Sequence, residues 1–174
     1  MDNFINQAFI LPPSSFILAL LMLLRLIWVG KTKNEHLRAL TDDYLGRLKR
    51  FVRVDIAEVR ESARRTEREG IEEESQRIKG AFRSDAFVVL LDIEGREWGS
   101  RELAGEIEKW QTGGRKEIAF VIGGHNGVSQ EVVSRADMRW SLSRLTLTHE
   151  MARVLLAEQL YRAYTIIHGL PYQK

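Results

Sequence analysis

Compact apolar runs and helically spaced apolar residues take turns along this chain. Leu24 to Val29 reads as a buried first strand, opened by Met22 and closed by a turn at Gly30. From Asn34 to Phe51, Leu37, Leu40, Tyr44, Leu45, Leu48 and Phe51 recur with the spacing of an amphipathic helix. Val52, Val54 and Ile56 then alternate with polar neighbours as a second strand. Thr66 to Phe82 is charged, with Ile71, Ile78 and Phe82 marking a thin apolar face, so a mostly exposed helix is expected. Phe87 to Asp92 is apolar enough to be buried on both faces, as parallel strands are. Ser100 can cap a helix with Leu103, Ala104, Ile107 and Trp110 inward, stopped by Thr112-Gly113-Gly114. Glu117 to Ile122 is another buried strand, Gln130 to Arg135 a short helix and Arg139 to Leu142 a short final strand. Thr148 caps a last helix running to about His168, closed by Gly169 and Pro171. Strands alternating with helices predict an α/β fold, a mainly parallel sheet with flanking helices.

The last helix is more apolar than a surface helix requires. Met151, Val154, Leu155, Leu156, Leu160, Ala163, Ile166 and Ile167 cover more than one stripe, which predicts burial on several sides, by a partner subunit or as a long core helix. Glu158 and Arg162 stand four apart in the order that favours an intrahelical ion pair.

Residues 1–21 read differently from the rest. Phe16 to Leu24 is an uninterrupted apolar run ended by Arg25, shorter than the ~20 residues of a membrane span. A positive n-region and a small-residue cleavage site are both missing, so it does not read as a secretory signal. The expectation is an appended extension, from an upstream start codon or a cloning remnant, before one domain spanning 22–174; a weak membrane anchor is the alternative.

Composition narrows the chemistry. The chain has 174 residues, 44% hydrophobic and 29% charged, which suits one globular core. It contains no cysteine, which excludes disulfides, thiolate metal sites and cysteine nucleophiles and is compatible with a reducing cytoplasm. A net charge of +2 does not mark a nucleic-acid binder. Basic residues do gather at Arg47, Lys49, Arg50 and Arg53, and again at Arg60, Arg64, Arg65 and Arg68, where interleaved Glu61, Glu67 and Glu69 indicate a solvated face.

The loops locate the chemistry after the buried fourth strand. Ile122-Gly123-Gly124-His125-Asn126-Gly127 places three glycines at a strand end, where bare backbone lets a ligand or another segment come close. No G-x-G-x-x-G, P-loop or G-x-S-x-G pattern is present. His36, His125, His149 and His168 lack metal-ligand spacing and His149-Glu150 does not continue as H-E-x-x-H, so no metal is expected.

Several segments taken together resemble a known family. L-L-D-I-E-G at Leu90 to Gly95, F-V-I-G-G-H-N-G at Phe120 to Gly127 and S-L-S-R-L-T-L-T-H at Ser141 to His149 are followed by R-V-L-L-A-E-Q-L-Y-R-A at Arg153 to Ala163 and a terminal P-Y-Q-K. In order and spacing, from about Met22 to Lys174, these are similar to the RlmH family of ribosomal RNA large-subunit methyltransferases. The resemblance implies a SPOUT-type fold with a C-terminal trefoil knot, a cytoplasmic homodimer, and S-adenosylmethionine-dependent methylation of N3 of a pseudouridine in 23S rRNA of the assembled ribosome. Carried over by motif, the cofactor pocket comprises Leu91, Gly123, Leu142, Ser143, Arg144, Leu145, Thr146 and Leu147.

Methyl transfer requires alignment of the ring nitrogen and a group that accepts its proton. His149, at the start of the final helix, is the nearest candidate base, with capping or packing as its competing role. Arg153 and Arg162 could hold RNA phosphates or a base oxygen, Glu158 could orient either arginine, and Tyr172 could stack on a base. The family ends in P-Y-H and a basic residue, whereas this chain has Gln173, so a tail imidazole cannot be required here. Two other classes compete: a catalytically silent ribosome- or RNA-binding module on the same scaffold, and a small nucleotide-dependent α/β oxidoreductase.

Overall fold

A computed structural model describes residues 22–173, so the expectations for residues 1–21 fall outside the described residues. Its strands are β1 (Leu23–Val29), β2 (Arg53–Val59), β3 (Phe87–Glu97), β4 (Glu117–Ile122) and β5 (Met138–Ser141). Between and after them lie α1 (Glu35–Leu48), α2 (Glu67–Lys79), α3 (Ser100–Thr112), α4 (Gln130–Arg135) and α5 (His149–Ile167), then a short 3-10 turn, Pro171–Gln173. The five strands form one sheet in the order β2-β1-β4-β3-β5, every neighbouring pair parallel.

Period-two alternation along each strand divides the core between the two faces of the sheet. Leu24, Leu26, Trp28, Ile118, Phe120 and Ile122 point to one side, where they meet α1, α3 and α5. Ile27, Val29, Val88, Leu90, Ala119 and Val121 point to the other, beneath Ile78 of α2 and Val132 of α4. Both faces are covered, which is why β4 is buried at all six positions.

Differences from the sequence expectation concentrate at element ends. β3 continues beyond Asp92 to Glu97, and its pairing with β5 shifts register between Leu91 and Arg96. Gly95 permits this crossing, because a Cβ there would lie 2.6 Å from the Arg139 carbonyl carbon and from the Trp140 nitrogen. Ser100 is the first residue of α3 and not its cap. Gly99 occupies the cap position, Glu102 accepts the Gly99 N–H at 2.8 Å, and Ser100 Oγ instead donates to Gln159 Oε1 at 3.0 Å.

The breadth of apolar surface on α5 is satisfied largely inside the protomer. Val154, Leu156, Ala157, Leu160, Ala163 and Tyr164 are all buried, and the Tyr164 hydroxyl oxygen accepts a buried hydrogen bond from Gln111 Nε2 at 2.9 Å. Met151 stays 41% exposed. Of the two expected covers, the core-helix reading accounts for this packing without a partner subunit.

Candidate active site

The chain leaving edge strand β5 crosses the carboxyl ends of β3 and β4 before α5 starts beside β1, and the crossing encloses a cavity of about 440 Å³. That volume lies in the range of small-ligand sites, and strand carboxyl ends are where α/β sheets place them. Leu91, Gly123, Leu142, Ser143, Leu145, Thr146 and Leu147 all border it, with His149 at its edge. Arg144 does not: its side chain is 87% exposed and pairs with Glu97 at 3.2 Å. A residue next to a binding loop's inward positions can be assigned by motif and still point outward, since motif order carries no side-chain direction.

Local hydrogen bonds shape the two walls. On one side, Ser141 Oγ donates to the Ser143 carbonyl and the Leu145 N–H donates to Ser143 Oγ, both at 3.0 Å, which folds residues 141–145 back on themselves. Leu145, 74% exposed, forms the outer lip. On the other side, the Gly127 N–H donates to the Gly124 carbonyl at 3.0 Å, closing a turn that needs the positive φ of Gly127. Gly123 is bare for a reason of the loop's own: a Cβ would lie 2.8 Å from Val128 Cγ1 and 3.1 Å from the Gly127 oxygen.

The residues present fit an adenine nucleoside. Leu91, Leu142 and Leu147 offer apolar surface for a flat ring, while the glycine turn and the Ser143 to Thr146 loop expose backbone groups that can read its edge. Asp92, His125 and Gly124 also border the cavity and were not assigned from sequence. Asp92 follows the apolar run of β3, and Gly124 and His125 follow β4; a polar residue just past a buried apolar run is the signal that could have found Asp92 and His125.

His149 begins α5, whose amino end is capped by Thr148 Oγ1 accepting the Met151 N–H. Capping is therefore done by Thr148, leaving the His149 ring to face the cavity. Burial lowers its imidazole below the ordinary histidine value, and the charges of Arg153 and His125 push the same way against Glu74. A neutral imidazole at neutral pH is what a proton acceptor needs.

Arg153 is corrected from an expected phosphate contact to a buried brace. It is 3% exposed, donates from Nη1 to Thr32 Oγ1 and from Nη2 to the Val29 carbonyl, each at 2.7 Å, and lies over the Trp28 ring. Both Nη groups are engaged inside the fold, so they cannot present a fork to an RNA phosphate.

Glu158, Arg162 and Tyr172 are brought together, but elsewhere. Arg162 Nε donates to Glu158 Oε1 at 2.9 Å, the Tyr172 hydroxyl donates to the same oxygen at 3.3 Å, and the guanidinium stands 4.7 Å from the Tyr172 ring centroid. The carboxylate holds the Arg162 guanidinium above its ordinary value, while burial, then Tyr44 and Glu158, push the Tyr172 phenol up. At ~1.5 Å per residue, Glu158 and Arg162 lie about 14 and 20 Å along α5 from His149. Among the described residues no group could hold a metal ion, and no helix is long and apolar enough to cross a membrane.

Comparison with known proteins matches this arrangement to one family. Residues 22–173 fit the family described as "Predicted SPOUT methyltransferase". A protein named ribosomal RNA large subunit methyltransferase H from Geotalea daltonii is 42% identical over 151 residues, 87% of this chain and 99% of that one. The protein of the same name from Limosilactobacillus reuteri is 41% identical over 159 residues, 88% of this chain and all of that one. Among solved structures, one titled as a probable methylase family protein from Haemophilus influenzae Rd KW20 superposes with a TM-score of 0.50 at 15% identity, covering 87% of this chain and 70% of its own. That likeness shows the fold. The extent of the sequence match shows more: this chain belongs to the SPOUT methyltransferase family.

Proposed function

We propose that the protein is an S-adenosylmethionine-dependent methyltransferase acting on N3 of a pseudouridine in 23S rRNA of the assembled ribosome, in the cytoplasm. The observation that carries this reading is the cavity at the carboxyl ends of β3, β4 and β5, with apolar walls, a glycine turn and a buried-edge histidine around one ligand-sized space. Its relatives' names supply the rRNA substrate class.

The cofactor, when bound, supplies an activated methyl group, so the protein contributes positioning and proton acceptance. Leu91, Leu142 and Leu147 clamp the flat ring, and the Gly123 to Gly127 turn supports the cofactor's other side. His149, neutral because burial disfavours its charged form, accepts the proton that leaves the ring nitrogen. The ring nitrogen would keep that electron pair and use it to bond the methyl carbon as the carbon–sulfur bond broke, the sulfur leaving as a neutral thioether.

The active form is a homodimer. Glu158, Arg162 and Tyr172 form a prearranged polar group too far along α5 to reach the cavity of their own protomer. A second protomer can bring that group beside the cavity, where Arg162 and Tyr172 would hold the RNA flanking the target nucleotide. The knotted C-terminus belongs to the same reading, supported by family membership and by the crossing of residues 142–148 over the strand ends.

The test is methyl transfer from labelled cofactor to ribosomes lacking the modification, followed by mapping of the labelled nucleotide. Label at N3 of one pseudouridine is expected; cofactor binding without transfer to any rRNA would leave a silent binding module instead.

A further inference from the structure

A second, polar cleft of about 670 Å³ adjoins the cofactor cavity and shares Gly124, His125 and His149 with it. It opens at the carboxyl ends of β1 and β2, between the loop after β1, Glu61 and Ser62, Glu74 of α2, and the first turn of α5. The two spaces meet at the His125 and His149 rings, whose centroids are 6.4 Å apart and nearly perpendicular.

The chemistry of this cleft differs from that of its neighbour. Three carboxylates face it, but two are already engaged with backbone. Glu150 accepts the N–H groups of Lys33 and Asn34 at 2.7 and 3.1 Å, and Glu74 accepts the Ser62 N–H at 2.8 Å. Lys33 Nζ lies 4.0 Å from Glu61, both side chains exposed, and Lys31 has no ion-pair partner among the described residues. Beneath them Arg153 is buried with its Nε lacking a hydrogen-bond partner. Leu37 supplies an apolar wall.

We propose that this cleft is the acceptor pocket, taking one nucleotide flipped out of the rRNA, with its phosphate toward Lys31 and Lys33 and its base directed at the His125 and His149 boundary. The proposal rests on the methyltransferase reading above. A base inside a folded RNA cannot present its ring nitrogen to a buried methyl group, so it must leave its stack and find a pocket of matching size. Exposed lysines on a loop suit a phosphodiester, and an apolar wall suits the face of a base. The shared boundary is the one place where the contents of both spaces can touch.

Two variants of the full-length protein test this. Lys31→Glu with Lys33→Glu reverses the charge, and Leu37→Trp fills the cleft, while none of these positions borders the cofactor cavity. Cofactor affinity by calorimetry is expected to stay within about threefold of wild type, since the cavity is untouched. The lysine pair should raise KM for unmodified ribosomes at least tenfold and flatten its salt dependence, with Lys31→Arg and Lys33→Arg restoring it. Leu37→Trp should lower kcat/KM at least a hundredfold. Wild-type kcat and KM in the lysine pair, with cofactor affinity intact, would overturn the proposal, even if Leu37→Trp proves unable to fold. Failure of the wild-type protein to methylate any rRNA would remove the function reading, and the acceptor pocket with it.

Discussion

The rings of His125 and His149 stand edge to face, 6.4 Å apart, one on the glycine turn after β4 and the other at the first residue of α5. Two chain segments far apart in sequence thereby set one proton equilibrium. The charge of His125 disfavours protonation of His149.

This relationship predicts the acid limb of the rate. Burial first, then Arg153 and His125, lower the His149 value, so the neutral form persists below the ordinary value of about 6.5. Single-turnover methyl transfer should hold as pH falls to that value and decline only below it. His125→Asn removes one of the opposing charges, so the decline should move to higher pH. His149→Ala should cut turnover by roughly 100-fold while changing cofactor affinity little. A pH profile unchanged in His149→Ala would assign the proton to another group.

Gly123→Val places new atoms against Val128 and the Gly127 carbonyl, displacing the turn that forms one wall of the cavity. Overpacking of this kind costs about 1–3 kcal/mol. Calorimetry should report loss of at least tenfold in cofactor affinity, with far-ultraviolet circular dichroism unchanged. Retained affinity in a folded variant would show that the wall adapts.

Arg153→Met should destabilise the fold instead of weakening RNA binding alone. It strands the Val29 carbonyl and the Thr32 hydroxyl, which lose charge-assisted hydrogen bonds worth about 1.5–3 kcal/mol. Denaturant melts should reveal this directly. A variant of wild-type stability with a raised KM for ribosomes would return Arg153 to an RNA-contacting role.

Deleting Tyr172 to Lys174 removes the phenol that donates to Glu158 and the ring beside Arg162. Cofactor affinity should survive and methyl transfer should fall strongly. Mixed dimers pairing a tail-deleted protomer with a Gly123→Val protomer should regain activity, because one complete site can form between subunits. Verified mixed dimers without activity would argue for sites built within a single protomer.

The buried strands were legible because short apolar runs bounded by turn signals, such as Glu117 to Ile122, fit strands covered on both faces, and Thr148 announced the start of α5 by its capping chemistry. The end of β3 was hidden, since Glu94 to Glu97 is polar and pairs only where Gly95 lets the β5 backbone approach. Arg153 was misplaced because arginine is ordinarily exposed, and its acceptors, Val29 and Thr32, lie more than a hundred residues away. The cofactor loops followed from motif, but which side chains face inward did not, as Arg144 illustrates. The polar cleft had no local signature at all: its walls come from the ends of three strands, the starts of two helices and the middle of α2.

The double attachment of the loop after β1 to α5 divides the molecule into parts that can and cannot be exchanged. Glu150 grips the Lys33 and Asn34 N–H groups, and Arg153 grips Val29 and Thr32, so that loop and the first turns of α5 form one inheritable unit. A loop of another length would leave a carboxylate and a guanidinium facing empty positions. Residues 141–145 bond mainly to one another. An engineer seeking a new acceptor would have to transplant the loop and helix together, whereas the cofactor lip could be recast on its own.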